Sequence, residues 1–144
     1  MNRKGITFEN AFLGALEGCK EYRHSSSVQD KTMGTDFYWL RLPIDITLQP
    51  LRSKTCCYFL KRYDSIYGPI DVGVRIGNIR RIDGKYKECY FKDNVMVISF
   101  NNTLSLSWVR MHTLVYDLMK EVDLECTDAF WELSDKLDSI VKQR

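Results

Sequence analysis

Alternating apolar and polar residues in the middle of the chain predict β-strands. The clearest case is residues 44–49, where one strand face would carry Ile44, Ile46 and Leu48 and the other Asp45, Thr47 and Gln49. Pro43 separates this strand from an apolar run before it, and Pro50 ends it. With the other strand-like segments, the pattern predicts about five strands: 37–42, 44–49, 71–78, 85–91 and 95–100. Residues 51–67 fit either a short helix or a strand.

Helical periodicity flanks this strand-rich region. Apolar residues at helical spacing predict a first helix from a Thr7 cap to about Arg23. A second, largely buried helix is predicted over residues 104–122, and a third begins at Thr127, with Asp128 in its first turn. The expected architecture is α+β with a three-layer α/β character: an N-terminal helix, a mixed sheet and two C-terminal helices. We expect residues 1–144 to form a single domain.

Composition narrows the class of protein. The chain is 44% hydrophobic and 28% charged, which is typical of a folded globular protein, and its net charge of +2 does not favour a strongly basic nucleic-acid binder. The sequence shows no signal-peptide pattern, so we expect a cytoplasmic protein. It has no apolar run of about 18 residues, so we expect no membrane-spanning helix. The five cysteines include no CxxC pair, which favours small buried side chains in a reducing compartment.

Two aspartates occur among apolar residues where carboxylates are costly. Asp36 begins the first strand-like run and Asp45 lies between two isoleucines. One interpretation is that both are solvated or cap turns. The other is that they meet at one end of a strand pair and hold a hard divalent cation, Mg²⁺ with Mn²⁺ as a substitute. Glu9, on the apolar side of the first helix, would be the third carboxylate.

The helix with Glu9, the "GTD" that ends at Asp36, the short hairpin and the "IDIT" around Asp45 resemble the PD-(D/E)xK nuclease superfamily over residues 6–80 approximately. The resemblance implies magnesium-dependent cleavage of nucleic-acid phosphodiesters, with Glu9, Asp36 and Asp45 as metal ligands and catalytic residues. The motif lysine is absent, since Thr47 occupies its position. Lys54, or less favourably Lys61, would then supply the ammonium group.

The alternative is a non-catalytic module of phage or mobile-element type that binds protein or nucleic acid. Arg75 or Lys54 would then neutralise the aspartates in place of a cation. Arg75, Arg80 and Arg81 are the candidates for phosphate contacts. The plainer role is an internal salt bridge for Arg75 and a solvated hairpin surface for the other two.

The aromatic residues leave a similar choice open. They fit base stacking, ordinary core packing or the contact surface of a homodimer; the set is Tyr38, Trp39, Tyr58, Tyr63 and Tyr67.

Overall fold

The computed structural model describes residues 3–17, 19, 22–24, 36–39, 42–54, 56–65, 68–77, 94–102 and 108–142. The elements in chain order are α1 (Arg3–Leu16), β1 (Tyr22–His24), β2 (Phe37–Trp39), β3 (Leu42–Thr47), β4 (Cys57–Ser65), β5 (Gly68–Arg75), β6 (Val95–Ser99), α2 (Trp108–Glu121) and α3 (Thr127–Lys142). A short 3₁₀ turn, Leu51–Ser53, precedes β4.

The six described strands form one mixed sheet in the order β1-β2-β3-β6-β5-β4. β3 and β6 run parallel, and all other neighbouring strands are antiparallel. The predicted α+β class, with one N-terminal and two C-terminal helices, is confirmed. The predicted count of about five strands is wrong, because the described sheet has six. β1 was not expected, and β4 lies in residues 51–67, which the sequence left open between a short helix and a strand. The predicted strand 85–91 lies outside the described residues.

The main core lies between one face of the sheet and the helices. Cross-strand register places Phe37 beside Ile44, Ile44 beside Met96, and Met96 beside Val74, so these four side chains share that face. Each is essentially inaccessible to solvent and belongs to one buried cluster with residues of all three helices. The isoleucines of β3 therefore face the core, as the alternation predicted.

Helix α1 is shorter and earlier than predicted. It begins at Arg3, so Thr7 lies inside it and does not cap it, and it ends at Leu16 instead of about Arg23. Residues Tyr22–His24 form β1, whose backbone pairs with β2. Glycine has a low helix propensity, so Gly18 in the sequence disfavours a longer helix. Phe12 anchors the helix, with its ring 5.8 Å from that of Phe37.

The two C-terminal helices are joined by a π-helical segment, Val122–Cys126. The predicted start of α3 at Thr127, with Asp128 in the first turn, is confirmed. Thr127 Oγ1 donates to the Val122 carbonyl at 3.1 Å, which supplies a partner within the wider π turn. Trp39 Nε1 donates to Asp123 in this segment at 2.8 Å, so the end of α2 is tied to β2.

Candidate functional site

The polar residues of the strands gather on the sheet face opposite the main core, which we call the polar face. It carries Asp45 of β3, Ser99 of β6, and Asp71, Gly73 and Arg75 of β5. The polar face is not open to water at its centre, since Ser99 is 0% exposed and Arg75 only 6%. Charged groups placed there need partners within the protein.

Asp45 and Arg75 form an ion pair across the sheet. β6 lies between their strands, and the Arg75 side chain spans it so that Nη1 donates to Asp45 Oδ2 at 3.1 Å. The side chains are 7% exposed for Arg75 and 16% exposed for Asp45. Arg75 therefore makes the internal salt bridge that was one of its two predicted roles. Because so little of its side chain is exposed, the same guanidinium offers little surface for a phosphate contact.

Asp36 lies beside Asp45 and serves the backbone of β3. Its Oδ2 accepts from the Ile46 N–H at 2.9 Å, and its own N–H donates to the Ile44 carbonyl at 2.9 Å. The residue is 8% exposed. The carboxylate thus takes the place of a strand carbonyl at the point where β2 begins, which is a structural reason for an aspartate at this position.

β2 and β3 are directly paired, with Phe37 opposite Ile44 and Trp39 opposite Leu42. Only two residues, 40 and 41, separate the paired ends in the sequence. This register brings the two predicted aspartates to neighbouring positions, as the metal-site hypothesis requires.

The rest of the predicted site is only partly visible. Glu9 lies within α1, but its side chain is outside the described part of the structure. Arg80 and Arg81 lie entirely outside the described residues. Lys54 follows the 3₁₀ turn and is half-buried. Across the residues that the structure describes, no group of three or more His, Cys, Asp or Glu side chains could hold a metal ion. One aspartate accepts from a backbone amide and the other pairs with an arginine, so both described carboxylates have partners within the protein.

Cys57 lies next to the Asp45–Arg75 pair, opposite Arg75 in the register of β4 and β5. Burial raises the pKa of its thiol to about 11, although Arg75 and Lys54 act in the opposite direction. The thiol is therefore protonated at neutral pH. It is poorly suited to be a nucleophile or a metal ligand.

A second polar cluster, which the sequence analysis missed, lies farther along the polar face. Arg62 of β4 holds Asp71 with two hydrogen bonds, Nε to Oδ1 at 2.7 Å and Nη2 to Oδ2 at 3.1 Å. Asn101 Nδ2 also donates to Asp71 Oδ2, at 3.1 Å. The bond from Arg62, with help from Asn101, lowers the pKa of Asp71. The alternation of Asp71, Gly73 and Arg75 was the available signal, since it puts all three on one face.

Aromatic residues are divided between core and surface. Trp39 is a core residue at 6% exposure, whereas Tyr58 and Phe59 on β4 are 47% and 60% exposed. Tyr38 holds the Arg23 guanidinium 4.2 Å from its ring centre. The surface aromatic pair of β4 is the most exposed apolar part of the described sheet.

No protein-family model, curated protein or solved structure matches this chain. The resemblance to the PD-(D/E)xK superfamily therefore stays a prediction from the residues themselves.

Proposed function

We propose that this protein is a non-catalytic binding module, in which the two aspartates of the nuclease-like pattern support the fold. The observation that carries the proposal is the Asp45–Arg75 ion pair, with the guanidinium 3.1 Å from the carboxylate and both side chains largely buried. A buried carboxylate needs a compensating charge, and here an arginine supplies it.

The bonding of Asp36 supports the same proposal. A magnesium ion bound between the aspartates would need oxygen ligands that are free to turn towards it. Asp36 Oδ2 is bonded to the Ile46 amide and Asp45 Oδ2 to Arg75. A cation between the aspartates would also place a second positive charge beside the largely buried Arg75 guanidinium.

The test is a direct assay for metal-dependent cleavage. The wild-type chain would be incubated with single- and double-stranded DNA and RNA in Mg²⁺ and in Mn²⁺, and calorimetry would measure Mn²⁺ binding. We expect no cleavage and no site-specific Mn²⁺ binding. Magnesium-dependent cleavage that disappears in a folded Asp45→Asn variant, but persists in Asp64→Asn on the exposed edge, would overturn the proposal.

A protein partner is better supported than nucleic acid. Two basic side chains of the described sheet have carboxylate partners and limited exposure: Lys61 with Glu121 and Arg75 with Asp45. Phosphate recognition requires cations that are free to pair with the backbone of the nucleic acid. The exposed aromatic pair on β4 is instead typical of a protein contact.

Fluorescence anisotropy with labelled DNA and RNA oligonucleotides at low and physiological salt would separate these partners. We expect no saturable binding at physiological salt. Saturable binding that is lost in Arg80→Ala/Arg81→Ala, but retained in Arg52→Ala on the exposed 3₁₀ turn, would show that the partner is nucleic acid.

A divergent magnesium-dependent nuclease is the second candidate, and one observation favours it. The β2–β3 register brings Asp36 and Asp45 to adjacent positions, which is the arrangement that the motif needs. Under this candidate Glu9 would complete the ligand set and Lys54 would act as the electrophilic helper. The cleavage assay decides between the two candidates.

We also propose a reducing, cytoplasmic setting. The four cysteines in the described residues are free thiols: Cys19, Cys56, Cys57 and Cys126. No helix in the described part of the chain has the length and apolar character needed to cross a membrane. Titration of the denatured protein with a thiol reagent should find five reactive cysteines, and a smaller number from protein purified without reductant would contradict this setting.

A further inference from the structure

β4 is an edge strand of the described sheet and is long enough to pair with another strand. It spans Cys57–Ser65 and has β5 as its neighbour on one side. A bulge interrupts the pairing between Phe59 and Lys61. The segment after the bulge, Lys61–Ser65, pairs regularly with β5 and has three charged residues. We call this segment the β4 edge.

The hairpin geometry indicates which backbone groups of the β4 edge point outward. Asp64 lies opposite Pro69, which has no N–H, so this pair suits a position where the two strands do not exchange hydrogen bonds. Because such positions alternate along an antiparallel pair, the N–H and C=O groups of Asp64 and Arg62 face away from β5. The β4 edge thus presents two donors and two acceptors to a further strand.

The side chains of the same two residues carry opposite charges on the polar face. Both residues are exposed, and the Arg62 side chain is 53% exposed although it also holds Asp71. Its hydrogen bonds to Asp71 use Nε and Nη2. The N–H groups of Nη1 can therefore donate to a second carboxylate. Edge strands normally carry charge to prevent pairing, but opposite charges two residues apart can also be self-complementary.

We propose that the β4 edge pairs with the β4 edge of a second copy of this chain, antiparallel about a two-fold axis at Tyr63. In that register Arg62 lies opposite Asp64 of the second copy, and Asp64 opposite Arg62 of the second copy. The outward backbone groups of these residues then exchange hydrogen bonds, and the two Tyr63 rings meet on the other face. The inference rests on the proposed binding role and names one partner for it.

The charge pattern selects this register over its neighbours. Sliding the strands by two residues would put Arg62 opposite itself or Asp64 opposite itself, and like charges directly across two strands repel. A two-fold axis also gives both copies the same contacts, as closed dimers require.

The test uses sedimentation equilibrium of the full chain over a wide concentration range. We expect a reversible wild-type dimer. Asp64→Lys leaves only positive charges at the two positions and Arg62→Glu only negative ones, so each variant should dimerise at least about tenfold more weakly. Mixed in equal amounts, the two variants restore both opposite-charge pairs and should form a heterodimer.

The matched control is Asp135→Lys, the same charge reversal on the exposed surface of α3. It should dimerise like the wild type. Circular dichroism checks that every variant is folded, since Arg62→Glu also removes the partner of Asp71. If Arg62→Glu does not fold, Arg62→Gln replaces it, and mixing with Asp64→Lys should then recover one charge pair.

A wild-type chain that stays monomeric would overturn the proposal, as would variants that dimerise like the wild type. Neither result bears on the cleavage and metal assays, so failure of the dimer is distinguishable from failure of the binding-module proposal.

Discussion

Two arginine–aspartate pairs lie on the same face of the sheet but in different surroundings. The Asp45–Arg75 pair spans β6 and has side-chain exposures of 16% and 7%. The Arg62–Asp71 pair joins neighbouring strands, and its arginine is 53% exposed. Gly73 lies between Asp71 and Arg75 on β5, so the two pairs are separated by a position with no side chain.

The difference shows how burial changes what an ion pair does. A pair removed from water contributes little net stability when intact, yet loss of one partner leaves a charge that is costly to bury. When one member of a pair is exposed to solvent, its removal costs less stability, because water can hydrate the remaining charge. We therefore expect the same kind of substitution to have unequal effects at the two sites.

Asp45→Asn should have the largest effect. It removes the charged partner that Arg75 Nη1 contacts in largely buried surroundings, and we expect the free energy of unfolding to fall by about 3 kcal/mol. Urea denaturation followed by circular dichroism measures this loss. Asp64→Asn, at an exposed carboxylate, is the matched control and should change stability by less than about 0.5 kcal/mol.

The double variant Asp45→Leu/Arg75→Met sharpens this result. Apolar residues of similar size can replace a buried ion pair with little loss, so it should recover most of the stability that Asp45→Asn loses. If the double variant is as unstable as Asp45→Asn, the stability of the polar face requires the two charges and not only side chains of similar size.

Gly73→Ala tests the separation between the two pairs. An added Cβ would lie 2.6 Å from the Tyr58 carbonyl oxygen and 2.8 Å from Leu51 Cδ1. Because a backbone carbonyl cannot turn aside as a side chain can, we expect a loss of about 2 kcal/mol, measured by the same urea denaturation. Comparison of Leu51→Ala with Leu51→Ala/Gly73→Ala isolates the carbonyl contact, and an equal stability of these two variants would contradict it.

Arg62→Gln should lower the free energy of unfolding, measured by urea denaturation, by clearly less than Asp45→Asn does. The lost arginine is half-exposed, and Asn101 still donates to Asp71 at 3.1 Å. A loss as large as that of Asp45→Asn would remove the distinction between the buried and the solvated pair.

The pH dependence of Asp71 should give the smallest signal. Its pKa in the folded protein lies below the ordinary 3.8, chiefly through the bond from Arg62. The stabilisation is complete above pH 3.8 and is lost as the pH falls through the lower folded value. Carboxyl NMR titration should show this low pKa, and Arg62→Gln should raise it. If the pKa of Asp71 is the same in Arg62→Gln as in the wild type, a group other than Arg62 causes the low value.

Much of the fold was predictable because it depends on local periodicity. The alternation around Asp45 predicted β3 and its core face, and the helical stripe with Asp128 in the first turn predicted the start of α3 at Thr127. The three residues of β1 carry no readable period, and they form a strand only because β2 offers a partner. The charged residues of β4 similarly obscured the length of that strand.

The candidate site was predictable in part. The sequence identified Asp36 and Asp45 as carboxylates that need partners, and it offered Arg75 as one possible partner. It did not identify the Arg62–Asp71 pair, because the two residues are nine positions apart on different strands of a hairpin whose register the sequence left open.

Local periodicity in the sequence was sufficient for the three helices and for the strands with clear alternation, such as β3, because these follow from repeats of two or 3.6 residues. What only the tertiary structure decided is the insertion of β6 between β3 and β5, which brings Arg75 to Asp45 across thirty residues of chain. Strand order is set by which apolar faces pack best together over the whole sheet, and no local pattern records that choice.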